Sequence, residues 1–162
     1  MSQILQFLYS KLFSSPKINL DLVKSSNASL VASQPLVAVF VGGTSNIGMH
    51  AVKSLAATDG TSGKGLRAYI IGRNAKAAKE IISECQQLCP TGQFRFIQAN
   101  DLALIKDVDH VSAELIKAEE KEAKAAGETP RIDILVMTQA IFNPWEPRNG
   151  MTQLLPYAPT AL

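Results

Sequence analysis

The chain has 162 residues, of which 46% are hydrophobic and 19% charged, with a formal net charge of +2. That length suits one domain, and the composition is that of a globular protein rather than a disordered one. So small a positive charge gives no argument for a nucleic-acid surface, whose expected footprint is a basic stripe. No apolar run approaches the roughly 20 residues a helix needs to cross a bilayer, so no transmembrane segment is predicted.

In chain order, the opening segment MSQILQFLYSKLF places Ile4, Leu5, Leu8 and Leu12 at helical spacing. It lacks the basic start and small-residue cleavage site of a signal peptide. It also lacks the arginines of a transit peptide, since the first arginine is Arg67. It reads as a leader helix packing on the domain; the alternative is an amphipathic helix lying on a membrane surface. A second amphipathic segment spans Leu20 to Val31 and is ended by Pro35.

The pattern then changes. Leu36 to Val41 is a continuous apolar run, rich in β-branched residues and closed by Gly42-Gly43. Such a run is a strand buried on both faces, as in a parallel sheet sandwiched between helices. A helix starts near Ser45 or Asn46, both good capping residues, and stops near Asp59-Gly60 before a Gly/Ser/Thr-rich loop, Thr58 to Gly65. Arg67 to Ile71 is a second strand, cut off by Gly72. Asn74 caps a second helix carrying Ala77, Ile81, Ile82, Cys85 and Leu88 before Pro90. Phe94 to Ile97 is a third strand.

A long charged helix, Leu104 to Ala126, follows. The mixed charges of Lys117 to Lys124 read as a solvated face held by i,i+4 pairs. Gly127 and Pro130 end it, and Ile132 to Met137 is a fourth buried strand. Strands alternating with helices imply right-handed crossovers and a parallel sheet, in the order β-α-β-α-β-α-β.

Cys85 and Cys89 lie four residues apart on one helical face. With His50 and His110 remote in sequence, they make too few ligands for a metal. They read as reduced thiols of a cytoplasmic protein.

The first strand-to-helix turn, Gly42-Gly43-Thr44-Ser45-Asn46-Ile47-Gly48, is the chemically informative segment. Gly42 permits a turn that a Cβ would obstruct, and Gly48 lets the helix pack closely on the strand. The helix then aims unpaired N–H groups and its positive dipole end outwards, where a pyrophosphate is the natural occupant. Thr44 and Ser45 add hydroxyl donors. The same glycines could close a purely structural turn, but their place between a buried strand and a helix favours the ligand.

This turn resembles the Thr-Gly-x-x-x-Gly-x-Gly motif of short-chain dehydrogenases/reductases. Gly42 matches the first motif glycine and Gly48 the last, Asn46 stands at the middle glycine, and Val41 replaces the threonine. Asn tolerates positive φ better than other non-glycine residues. Further positions follow in order. Gly72-Arg73-Asn74 ends the second strand where the adenosine ribose should lie, and Asp101-Leu102 resembles the pair that flanks the adenine. Asp101 could equally be a helix N-cap. Asp133 to Ala140 aligns with the fourth strand and its Asn-Asn-Ala-Gly motif, from which Met137, Thr138, Gln139 and Ala140 depart. This variant, with the stretch Ile81 to Pro90, is similar to fungal members of secondary metabolism, including terpenoid gene clusters.

The resemblance covers Val37 to Phe142 and implies a partial Rossmann-type, doubly wound α/β fold with an N-terminal helical leader. It divides the chain into a leader (1–34), an NAD(P)-binding half-domain (35–142) and an irregular, proline-rich tail (143–162). It implies a dinucleotide cofactor held by Gly42, Thr44, Ser45, Asn46, Ile47, Gly48, Arg73, Asn74, Asp101 and Leu102, and a small-molecule carbonyl or alcohol as substrate. Where NAD-selective sites place an acidic residue on the ribose 2′-hydroxyl, this chain has Arg73. A guanidinium suits a 2′-phosphate, so NADP (NADPH) is the expected cofactor. Lys76 and Lys79 add local positive charge.

The family's catalytic Tyr-x-x-x-Lys is absent. Tyr9, Tyr69 and Tyr157 are followed four residues later by Phe13, Arg73 and Ala161. No catalytic residue is therefore assigned, and the chain reads as a dehydrogenase truncated near Trp145. On that reading the first strand should become a sheet edge, or face solvent where its neighbour is absent, and its Val37, Val39 and Val41 would invite oligomerisation or aggregation. The alternatives are a non-catalytic nucleotide-binding module and a non-functional gene remnant.

Overall fold

The structure is a computed structural model and describes residues 19–139. The leader helix over Ile4 to Leu12, Ala140 of the fourth-strand motif, and the proline-rich tail lie outside the described residues. Eight elements follow one another: α1 (Leu20–Ser33), β1 (Leu36–Val41), α2 (Asn46–Ser62), β2 (Leu66–Gly72), α3 (Ala75–Leu88), β3 (Gln93–Gln98), α4 (Ile105–Ala126) and β4 (Ile134–Met137).

The four strands form one parallel sheet in the order β3-β2-β1-β4. Leu36 to Val41 of β1 pair in register with Leu66 to Ile71 of β2, and Ala38 to Val41 pair with Ile134 to Met137 of β4. This is the α/β, Rossmann-like arrangement that the strand and helix alternation predicts. All four strands point the same way, so the turns after Val41, Gly72, Gln98 and Met137 share one edge of the sheet. In open α/β sheets ligands bind at that edge.

Side chains alternate across the sheet and build a core on each face. On one face Ala38, Phe40, Ala68 and Ile70 pack with Val52 and Ala56 of α2 and with Ile81 and Cys85 of α3. Val31 of α1 joins this core. On the other face Val37, Val39, Tyr69, Ile71 and Ile97 pack with Val111 and Leu115 of α4.

Three expectations are corrected. First, β1 is an inner strand. It lies between β2 and β4, and Val37 and Val39 are buried. Among the described residues β4 lies at one edge of the sheet, and its Leu135 and Met137 are 58% and 63% exposed. The expectation failed because β4 itself returns to pair with β1.

Second, α2 does not stop at Asp59-Gly60 but runs to Ser62. Gly60 is where α2 meets the end of α3: a Cβ there would sit 2.0 Å from the Leu88 carbonyl oxygen. The hydroxyls of Thr58, Thr61 and Ser62 donate back to the carbonyls of Ser54, Ala57 and Thr58, so these polar residues stay helical.

Third, Lys117 to Lys124 is not wholly a solvated face. Glu119 continues the inward stripe Val111, Leu115, Glu119, Ala123 and is buried. Arg67 Nε and Nη2 donate to its two oxygens at 2.8 and 2.9 Å, and the Tyr69 hydroxyl donates at 2.8 Å. Burial opposes the Arg67 charge, but the bonds to Glu119 and Glu128 outweigh it and raise the guanidinium's pKa. Burial and the bond to Glu119 push the Tyr69 phenol up as well.

Cys85 and Cys89 are free and buried, as expected of reduced thiols. Burial pushes the Cys85 thiol up from 9.0 to about 11. Below pH 9 this thiol is protonated in both the folded and the unfolded chain and has no effect on stability. Above pH 9 the unfolded chain loses the proton first, so stability falls as pH rises towards 11. Denaturant titrations from pH 8 to 11 are expected to show a loss that Cys85→Ala reduces.

Candidate functional site

The site lies at the C-terminal edge of the sheet, where the turn from β1 into α2 faces the end of β2. Gly42 takes φ +84° and Asn46 takes φ +46°. Among the described residues Asn46 is the one non-glycine residue with positive φ. The turn is anchored on β2: the N–H groups of Gly42 and Gly43 both donate to the Ile71 carbonyl, at 2.9 and 3.2 Å. Those two amides are therefore spent inside the fold.

The amides without a backbone acceptor come later in the turn. Met49 is the first amide of α2 to find a carbonyl one turn back, at Ser45, 3.3 Å away. Among the described residues, the backbone N–H groups of residues 44–48 meet no backbone acceptor. They are the orphan donors of a helix N-terminus, where the dipole favours an anion. Ser45 is the N-cap, yet its side chain makes no cap hydrogen bond and is exposed. Thr44 is half-buried, its hydroxyl so close to Gly72 that a Cβ there would lie 2.5 Å away. Ile47 is 75% exposed, and Gly48 is buried against the turn.

Arg73 and Asn74 follow β2. Arg73 is exposed and has no ion-pair partner among the described residues; Lys76 and Lys79 are exposed beside it. Asn74 is the N-cap of α3, and its side-chain oxygen accepts from the Ala77 amide at 3.1 Å. Its carbonyl thus serves the helix, and its NH2 group is what it can offer a ligand.

After β3, Asp101 is exposed but is not the N-cap of α4; that place belongs to Leu104. Asp101 Oδ1 accepts from the Ala103 amide at 3.0 Å, and its own amide donates to Asp107. The helix begins later than capping by Asp101 requires, since a turn closed by the Leu104 amide on the Asp101 carbonyl, 3.0 Å away, comes between. Leu102 is half-buried and packs on the α4-side core. The structure thus brings Thr44 to Gly48, Arg73, Asn74 and Asp101 to one edge. Thr138, which in sequence is only a departure from the family motif, borders the same turn.

Three fungal proteins resemble the chain. A short-chain dehydrogenase/reductase, SAT2, of Stachybotrys chartarum is 48% identical over 123 residues, which are 76% of this chain and 34% of that protein. Oxidoreductase AN1596 of Emericella nidulans is 39% identical over 104 residues, 64% of this chain and 30% of that protein. Oxidoreductase andH of Emericella variicolor is 33% identical over 92 residues, 56% of this chain and 26% of that protein. The chain belongs to the short-chain dehydrogenase/reductase family. It spans about a third of the length of the curated relatives it matches. No family model matches it. A crystal structure of a short-chain dehydrogenase from Salmonella enterica aligns over 68% of this chain and 39% of that one, with 17% identity and a TM-score of 0.46.

Within the short-chain dehydrogenase frame, the departure at Asn46 keeps the backbone that a middle glycine would supply, as its φ shows. Gly42 has no such latitude. A Cβ there would lie 2.9 Å from the Gln139 amide nitrogen, besides requiring a left-handed residue. Gly42→Ala is expected to destabilise the fold by about 1–2 kcal/mol from backbone strain alone. Denaturant unfolding checks this, and a stability equal to the parent's would show that the turn can rebuild itself.

Proposed function

We propose that this chain binds NADP(H) through the β1–α2 turn and Arg73, as the cofactor-binding part of an oxidoreductase acting on a carbonyl or alcohol of a secondary metabolite. One observation carries the reading: a left-handed glycine turn opens a helix whose amides 44–48 meet no backbone acceptor, beside an exposed arginine with no ion-pair partner, both among the described residues. The amides of residues 44–48 and the Ser45 hydroxyl hold the pyrophosphate. Arg73, with Lys76, takes the 2′-phosphate, since a guanidinium forms forked, charge-assisted bonds to phosphate. Ile47 offers an exposed apolar contact, and Asp101 and Leu102 border the adenine. When bound, the nicotinamide supplies the hydride of the family's chemistry. The names of its relatives, a short-chain dehydrogenase/reductase and two oxidoreductases, support this assignment.

The 162 residues contain no Tyr-x-x-x-Lys, so we assign no proton donor and expect binding without turnover. Titrating NADPH by its fluorescence, then following its consumption with a panel of ketones, tests both halves. Saturable binding without consumption is expected, and turnover would reveal another proton donor. We place self-association on β4, whose Leu135 and Met137 are exposed and which, among the described residues, is an edge strand. Sedimentation is expected to depend on concentration and to do so less in Leu135→Lys. A monomer at all concentrations would contradict this.

A further inference from the structure

Thr138 follows β4 and reaches across to the glycine turn. Its amide donates to the Val41 carbonyl at 2.9 Å, extending the β1–β4 pairing one step beyond Met137. Its hydroxyl lies 3.2 Å from the Val41 carbonyl oxygen and 3.4 Å from that of Gly42. A threonine hydroxyl has a single proton, so it is shared between two consecutive carbonyls at the start of the turn.

The same hydroxyl occupies the space that both motif glycines leave. A Cβ on Gly42 would stand 2.8 Å from Thr138 Oγ1, and one on Gly48 would stand 2.6 Å from it and 2.3 Å from the Gly42 carbonyl oxygen. The hydroxyl, the Gly42 carbonyl and the Gly48 Cα therefore meet with no room for another carbon. Both glycines answer to this internal contact as well as to any ligand.

We propose that Thr138 is a positioning residue for cofactor binding: its hydroxyl, wedged between Gly42 and Gly48, fixes the plane of the Gly42–Gly43 peptide and so aims the amides of residues 44–48. The proposal rests on the dinucleotide reading above. A peptide group is planar, so holding the Gly42 oxygen also holds the Gly43 N–H against the Ile71 carbonyl, and with it the point from which residues 44–48 turn into α2. The turn is then clamped from both neighbouring strands. On the β2 side the Ile71 carbonyl accepts the amides of Gly42 and Gly43; on the β4 side the Thr138 hydroxyl donates to the carbonyls of Val41 and Gly42. A helix terminus held this way meets a phosphate with its donors already in place, and less ordering entropy is lost on binding.

The experiment compares the parent chain with Thr138→Val, which keeps the shape and removes the donor, and Thr138→Ser, which keeps the donor. NADPH affinity is read by fluorescence titration, and turn order by amide hydrogen exchange without NADPH. Thr138→Val is expected to weaken NADPH binding roughly three- to tenfold, the loss of one hydrogen bond, while Thr138→Ser stays within about twofold. In Thr138→Val the amides of residues 43–48 should exchange faster, with those of β2 unchanged. Thr138→Ala replaces the valine variant should the latter not fold. Parent-like affinity and exchange in the donor-free variant would overturn the proposal. So would a serine variant as weak as the valine one. If the parent binds no NADPH, the dinucleotide reading fails, while the exchange comparison still decides the role of Thr138.

Discussion

Glu119→Ala is expected to destabilise the fold by about 3–5 kcal/mol, because it strands a buried guanidinium without its carboxylate. Arg67 is 9% and Glu119 3% exposed, and the two share a forked pair of hydrogen bonds. The loss extends beyond the pair. The Tyr69 hydroxyl loses its acceptor, and Arg67 keeps Glu128 as its remaining partner at 3.2 Å. These bonds tie α4 to β2 at the end of the sheet opposite the site, so the variant should loosen α4 before it touches the β1–α2 turn.

Replacing both partners by apolar residues, as in Arg67→Met with Glu119→Leu, should cost much less than either single change, since no charge is then left buried. Denaturant unfolding of the parent, Glu119→Ala, the two single apolar variants and the double variant gives the comparison. A Glu119→Ala midpoint equal to the parent's would show that the ion pair is not sequestered from water.

Arg73→Ala is expected to lower NADPH affinity roughly ten- to hundredfold, the range for hydrogen bonds to charged groups, and to leave NADH affinity nearly unchanged. Arg73 is suited to this task because it is not engaged elsewhere. It is exposed at the end of β2, has no ion-pair partner among the described residues, and adjoins the N-terminus of α3, whose dipole adds positive potential. Arg73→Glu should go further and reverse the preference, because a carboxylate repels a 2′-phosphate and accepts from a 2′-hydroxyl. The NADPH advantage should shrink with added salt, as expected of an exposed charge. An unchanged NADPH-to-NADH affinity ratio in Arg73→Ala would mean that the 2′-phosphate is not read here.

Much of this was legible in the sequence because it is local. The apolar run Leu36 to Val41 closed by glycine, the helix start after Ser45, the cap at Asn74 and the left-handed tolerance of Asn46 depend on neighbours a few residues away. What was not legible depends on residues far apart in the chain. Glu119 sits in a charged stretch that reads as solvated, and only the packing of α4 on β2 brings it to Arg67, 52 residues away. Gly60 reads as a helix stop, but it marks the approach of α3. Thr138 reads as a lapse from a motif, yet its hydroxyl lies 96 residues from the carbonyl it helps to hold. The edge position expected of β1 failed for a related reason: strand order in a parallel sheet is set by which strand returns beside it.

The turn after β1 and the arginine after β2 are proposed to act together as a cradle for a 2′-phosphorylated adenosine diphosphate. Calorimetric titration of folded protein with 2′-phospho-ADP-ribose and with ADP-ribose tests it most directly. Saturable heat from both, with tighter binding of the phosphorylated compound, is the predicted result; no heat from either would contradict the account.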